Sequence, residues 1–323
     1  MKLNLTNEEV NTLKTLAKKV KFSPSLQPHM FCKEINSLLR EIPETIYNSF
    51  IHFKKYGSKT GCLLLHITPD NDTILPPTPD SNQYKLGETT ELSKIQAICM
   101  TIMGTMVSYE AEGYGNLFQD VVPVKSMLNQ QASTGSNFEL EIHTEQAFSQ
   151  LRPDILSLSC LRGDPNAFTY ILHVESILNN MNEHEIALLK QPFWKIGVDL
   201  SFKMNEDDFI EGNIRGPFPI LQGTEDNRIL VFDQDLMFGI TEESHSLIDK
   251  IVHLYYTHRN NYNLTSGDII FIDNNRAVHG RSSFFPKFDG LDRFLIRSFL
   301  VFDYERVKHA CIKRENMISA IFS

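Results

Sequence analysis

One six-residue run, Leu140-Glu141-Ile142-His143-Thr144-Glu145, constrains this chain more than any other. In an extended strand, residues two apart share a face, so His143 and Glu145 point the same way. A second histidine, His279, lies far downstream in Asp273-Asn274-Asn275-Arg276-Ala277-Val278-His279-Gly280-Arg281, and Arg293 follows it. An imidazole and a carboxylate on one strand offer two adjacent ligands, and a returning strand carrying His279 adds the third. Three such ligands occupy one face of an octahedron and leave the other open. Two His and one carboxylate with open positions suit iron(II). A guanidinium close by suits an anionic cosubstrate, 2-oxoglutarate. A lone His-x-Glu carries little weight, because short motifs recur by chance. Its weight here comes from the second His and the Arg.

Such a site needs strands that return past one another, and the second half of the chain reads that way. Runs rich in β-branched and aromatic residues cover 138–142, 155–161, 168–174, 229–232, 268–272 and 294–302, with turn residues between them. One helix over 244–256 interrupts the series. The first third is helical in pattern. Thr6-Asn7-Glu8-Glu9 fits a capping box, and Val10, Leu13, Leu16, Ala17 and Val20 follow at helical spacing. The pattern returns over 34–53, where Pro43 divides two helices. Residues 61–67 read as a buried strand, 68–87 as a loop and 90–107 as a helix apolar on most faces, packed against a sheet. The polar, acidic stretch 204–223 reads either as a surface loop or as a lid over a site.

With 323 residues and 41% hydrophobic content, the chain can build one large domain or two small ones. A net charge of −9 without a dense Lys/Arg stripe argues against a nucleic-acid partner. Cys32, Cys62, Cys99, Cys160 and Cys311 are scattered and form no CxxC pair, which suits reduced thiols in the cytoplasm. The N-terminus lacks the apolar core of a signal peptide, and no apolar run is long enough to span a bilayer. No membrane partner is therefore expected. The sequence is silent on oligomeric state.

Further segments carry a family resemblance. They are Gly115-Asn116-Leu117-Phe118-Gln119-Asp120-Val121-Val122-Pro123, His143-Thr144-Glu145-Gln146-Ala147-Phe148, Arg152-Pro153-Asp154, Phe232-Asp233-Gln234-Asp235-Leu236-Met237 and the block from Asn275 to Arg281. From about residue 114 to 303 the chain resembles the clavaminate synthase-like iron(II)/2-oxoglutarate oxygenases, particularly their free amino-acid hydroxylases. Glu rather than Asp at position 145 is typical of that branch. The resemblance implies a mainly β fold, a distorted double-stranded β-helix (a cupin-like jelly roll) with flanking helices. It implies a single oxygenase domain over 1–323. Residues 1–110 would form a helical buttress with the first strands, and 115–303 the jelly-roll core with a lid at about 204–223. The cofactors implied are iron(II), 2-oxoglutarate and O2.

The resemblance also distributes roles. His143, Glu145 and His279 would bind the metal. Arg293, with Thr169, would hold 2-oxoglutarate. Arg293, Leu295 and Arg297 share a strand face, and two arginines entering a core need anionic partners. Arg297 would take the substrate's α-carboxylate, and Gln119, Ser133 and Glu145 would contact its α-groups. Asp233 and Asp235, two apart on a short extended segment, read either as a solvated acidic loop or as a pair that needs a cation between them. Relatives that hydroxylate arginine and lysine use acids in that segment to bind the substrate's cationic end. The expected substrate is thus a free basic amino acid: L-lysine hydroxylated at C4, or alternatively L-arginine at C3. Glu206, Asp207 and Asp208 would lie in the lid. Rival readings are a non-catalytic metal-binding β-barrel protein and a zinc hydrolase on the same three ligands. His245, His253 and His258, along or just past a helix, and Trp194 read as structural. His173 reads as part of the barrel wall.

Overall fold

The computed structural model describes residues 1–70, 72, 74–198 and 214–322. The first helix, α1 (Asn7–Lys19), opens on the expected capping box. Thr6 Oγ1 accepts the Glu9 amide at 3.2 Å, and the Glu9 carboxylate accepts the Thr6 amide at 2.8 Å. Pro43 separates α2 (Pro28–Leu38) from α3 (Glu44–Tyr56). The helix expected over 90–107 stops early: α4 spans Glu91–Met103, and Thr105–Tyr109 is a strand. Gly104 sits between them, where a Cβ would lie 2.2 Å from the Val301 carbonyl oxygen. The strand that follows pairs with Phe294–Val301, and this pairing overrides the helical pattern of the sequence.

Most of the described strands fall into two facing sheets, beside a three-stranded and a two-stranded one. The major sheet runs Lys2–Leu3, Cys62–His66, Asp268–Asp273, Ile155–Arg162, Phe294–Val301, Thr105–Tyr109, Met317–Ile318, with Gln119–Val121 also paired to Phe294–Val301. The minor sheet runs Asn260–Asn263, Phe168–His173, Ala277–Arg281, Leu140–His143. Strict alternation assigns each residue to a side. Cys62, Ile270, Ile272, Leu156 and Leu158 from the major sheet meet Ile171 and Ala277 from the minor sheet in one buried cluster. Their neighbours Leu63, Leu65, Ile269, Phe271 and Ile155 turn outward and pack under α1 to α4. Leu172, Val278 and Ile142 turn to the other outer face, under the helix Glu242–His258. Two sheets with helices on their outer faces make the jelly roll expected from the resemblance.

Several strands of three or four residues escaped the sequence reading, because so short a run shows little period. Gln119–Val121, Trp194–Gly197, Met237–Gly239 and Asn260–Asn263 are of this kind. The expected lid divides. Residues 204–213, with Glu206, Asp207 and Asp208, lie outside the described residues. Ile214–Phe218 pairs with Trp194–Gly197, and Leu221–Thr224 forms a hairpin with Asn227–Leu230. His245, His253 and His258 are exposed on their helix, and Trp194 is fully buried with its indole donating to the Ser244 carbonyl at 3.0 Å. Buried His173 caps the short helix Val174–Leu178. No described helix is long and apolar enough to cross a membrane, and all five cysteines are free thiols.

Candidate active site

His143 and His279 stand directly opposite each other in the minor sheet, with ring centroids 4.4 Å apart. Glu145 follows the Leu140–His143 strand and brings an oxygen to 3.5 Å from His279 Nε2. One ligand atom from each of the three lies within 4.8 Å of the others. Alternation paired His143 with Glu145, and a returning strand was expected to add His279; the fold brings the three together. His143 Nδ1 bonds the Glu141 carbonyl at 2.8 Å, which leaves Nε2 as its lone-pair nitrogen. Burial, with His143 beside it, pushes His279 down to about 4, so its imidazole is neutral at neutral pH. Burial alone would raise Glu145. The Arg297 guanidinium and the two imidazoles outweigh that effect and hold the carboxylate below its ordinary range. Two imidazole nitrogens and a carboxylate are the donor set that a non-haem iron(II) ion takes, so the residues present fit the metal.

A side-chain clamp fixes Glu145. Fully buried Asn274 accepts the Glu145 amide at 2.8 Å and donates to the carbonyls of Glu145, at 3.1 Å, and Pro153, at 2.7 Å. The next residue, Gln146, has φ +54°, in the left-handed region. On the carboxylate side, Arg297 Nη1 reaches Glu145 at 3.3 Å, Nε donates to Gln119 Oε1 at 2.9 Å, and Nη2 pairs with Glu112. Glu112 in turn accepts from Gln146 Nε2 at 2.8 Å. The guanidinium expected to await a substrate carboxylate is therefore already matched by carboxylates. The open donor beside it is Gln119 Nε2, which is buried and bonds to no described residue.

Arg293 behaves differently. It is 5% exposed and lines the same cavity as the triad, yet it makes no hydrogen bond or ion pair with any described residue. Burial pushes it down to about 10, so it stays charged at neutral pH. A dry guanidinium with no counter-charge among the described residues calls for an anion. Thr169, 3% exposed, lines the cavity with it, and Arg281 faces Thr169 across the minor sheet.

Acids line the same cavity. Asp233, Asp235 and Glu141 all line the cavity, as does Ser133. Asp233 and Asp235 do not lie on an extended segment, as the spacing suggested, but on a turn. Asp233 Oδ1 accepts the amides of Asp235, at 3.0 Å, and Leu236, at 2.8 Å. Short acidic side chains hold such turns by satisfying free amides. The turn docks on the metal strand through a His143–Asp233 bridge and a 3.0 Å bond from the Gln234 amide to the Ile142 carbonyl. Neither the Asp235 nor the Glu141 carboxylate has a partner among the described residues. Glu141 was legible in principle, since it shares the alternation of His143 and Glu145. Arg281 shares that of His279. Glu112, in the loop after Thr105–Tyr109, carried no signal in the sequence.

No family model matches the chain. It is 43% identical over 321 residues to an L-lysine 3-hydroxylase of Catenulispora acidiphila, covering 99% of this chain and 89% of that one. It is 29% identical over 299 residues to clavaminate synthase 2 of Streptomyces clavuligerus, covering 89% and 88%. Among solved structures, asparagine oxygenase in complex with Fe(II), 2S,3S-3-hydroxyasparagine and succinate superimposes with a TM-score of 0.90. That match covers 98% of this chain and 99% of that one at 24% identity, a likeness of fold. Taken with the triad, the first two relatives settle the class: the chain belongs to the clavaminate synthase-like iron(II)/2-oxoglutarate-dependent oxygenases and is an amino-acid hydroxylase of that family.

Proposed function

We propose that this enzyme hydroxylates free L-lysine, and that the carbon attacked is C3. The observation that carries the reading is the division of charge in one cavity. Arg293, buried and without an ion pair among the described residues, the His143, Glu145 and His279 triad, and the Asp233, Asp235 and Glu141 carboxylates all line the same cavity. An L-lysine 3-hydroxylase at 43% identity supports C3 over the C4 that the sequence had favoured.

When bound, iron(II) with 2-oxoglutarate and O2 supplies the oxidation: 2-oxoglutarate loses carbon dioxide to give succinate, and one oxygen atom enters a substrate C–H bond. The chain's residues do the rest. His143, Glu145 and His279 hold the metal. Arg293 and Thr169 receive the distal carboxylate of 2-oxoglutarate. Gln119 Nε2, with Arg297 behind it, takes the substrate's α-carboxylate, and Ser133 and Glu112 lie near enough to serve the α-ammonium. Asp235 and Glu141 take the ε-ammonium, with Asp233 holding the turn. Acids from two different segments suit the three diverging donors of an ammonium better than a flat guanidinium, which favours lysine over arginine. Gripping both ends leaves one carbon beside the metal. A zinc hydrolase would have no use for the unmatched Arg293.

The test is a screen of free amino acids with iron(II), 2-oxoglutarate and O2, scoring succinate and a product heavier by one oxygen. L-lysine should lead, with NMR placing the hydroxyl at C3. If norleucine, which lacks the amine, serves as well as lysine, the substrate assignment is wrong. A hydroxyl at C4 would return the regiochemistry to the reading from sequence.

A further inference from the structure

The cosubstrate end of the cavity holds a second buried cation that no role above uses. Arg281 is 5% exposed and lines the cavity with Arg293. The two guanidinium groups flank one ring, with Arg281 5.0 Å and Arg293 5.7 Å from the centroid of Phe284. No described carboxylate forms an ion pair with either. The carboxylate of Glu139, which runs toward Arg281, is taken by Arg259 at 2.5 Å. Arg281 Nε is buried and bonds to no described residue. Two like charges out of water with no counter-ion are costly, and a single anion between them relieves both.

Arg281 also has a second connection. Its Nη1 donates to the Gly135 carbonyl and its Nη2 to the Phe138 carbonyl at 3.3 Å. Those carbonyls belong to the loop 128–138, which carries Ser133 and Thr134 into the cavity. The loop is also held by its own turns, by the Val124 amide on the Thr134 carbonyl at 3.1 Å, by the Phe284 amide on the Ser136 carbonyl at 2.9 Å, and by Gln131, which donates to the Glu139 carbonyl at 3.1 Å and accepts the Glu141 amide at 3.2 Å.

We propose that Arg281 is a positioning residue of the cosubstrate pocket: it shares the charge of the distal carboxylate with Arg293 and passes that binding on to the 128–138 loop. The inference rests on the reading that 2-oxoglutarate meets Arg293. With the anion in place, Arg281 is neutralised where it sits and keeps both carbonyls of the loop. Without it, mutual repulsion of the two cations works against that geometry. Cosubstrate binding thereby orders the wall against which the amino acid will lie.

The experiment compares 2-oxoglutarate with 2-oxopentanoate, which has the same chain but no distal carboxylate. Both are titrated calorimetrically into anaerobic, iron(II)-loaded protein. Wild-type protein should favour 2-oxoglutarate strongly. Arg281→Gln keeps a donor for the loop but loses the charge, so it should weaken 2-oxoglutarate about tenfold while leaving 2-oxopentanoate unchanged. Arg281→Lys should keep most of the preference. A merely structural Arg281 would shift both ligands alike, and that result overturns the proposal, as does an unchanged preference in Arg281→Gln. Should the Gln variant not fold, hydrogen exchange on the wild-type chain decides: 2-oxoglutarate must protect the amides of 128–138 more than 2-oxopentanoate does, and equal protection overturns the proposal. If wild-type protein binds both acids equally, the Arg293 reading falls with it. If wild-type protein discriminates and Arg281→Gln discriminates just as strongly, only the Arg281 role falls.

Discussion

Arg293 and Asp235 show how much a single side chain decides here. Arg293 is a buried charge with no counter-charge among the described residues, so its worth appears when the cosubstrate arrives. Arg293→Ala should weaken 2-oxoglutarate by about 2–5 kcal/mol, as a rise in its dissociation constant by calorimetry, while metal content stays near normal. Asp235 lies at the open end of the cavity and lacks a partner. Asp235→Asn should raise the KM for lysine about tenfold and leave that for 2-oxoglutarate alone, because one charge-assisted hydrogen bond is lost. An equal loss with norleucine would show that the residue shapes the turn instead of reading the charge. Sequence spacing found both residues. It misjudged Asp233, because the competition between side chain and backbone for free amides is settled locally, by a turn that no periodicity announces.

Elements carry these residues, and two junctions between elements are critical. Asn274 joins the turn after Asp268–Asp273 to the backbone of Glu145 with two bonds and to the Pro153 carbonyl with a third, in a fully buried place. Asn274→Ala should cost about 2–4 kcal/mol by chemical denaturation and loosen iron(II), since buried amides and carbonyls are left unpaired. The second junction is Asp120, in the Gln119–Val121 strand, which accepts the amides of Leu86 at 2.9 Å and Gly87 at 3.0 Å ahead of α4. Burial pushes its carboxyl up to about 6, the two amides only partly opposing, and Glu88 nearby adds to the rise. A folded pKa above the unfolded 3.8 means the folded state holds the proton more tightly. Asp120 therefore contributes stability that is present at low pH and lost as pH rises from about 4 through about 6. The stability of the wild-type chain relative to Asp120→Asn should fall by roughly 2–3 kcal/mol over that window, measured by denaturation at a series of pH values. A flat difference would place the proton elsewhere.

On the scale of the whole molecule, the helices and the site are separated by the major sheet. Phe50 on α3 is fully buried and meets Phe271 edge-on at 4.9 Å, on the face of the sheet turned away from the metal. Phe50→Ala should cost about 3–5 kcal/mol of stability. At a temperature where the variant remains folded, its turnover number should match the wild-type chain; a drop would mean that the helical layer tunes the site. Alternation within each strand and capping at each helix start are local, and the sequence alone determined them: the first helices, the longer strands, His143 beside Glu145, and the arginine face of Arg293, Leu295 and Arg297. Family likeness supplied the jelly roll and the cosubstrate. What only the tertiary structure decided is which charges find partners. Arg297 is matched by Glu112, while Arg293, Glu141 and Asp235 have no charge partner among the described residues. Matching depends on distances between residues far apart in the chain. No period or spacing encodes those distances, and the packing of the two sheets sets them.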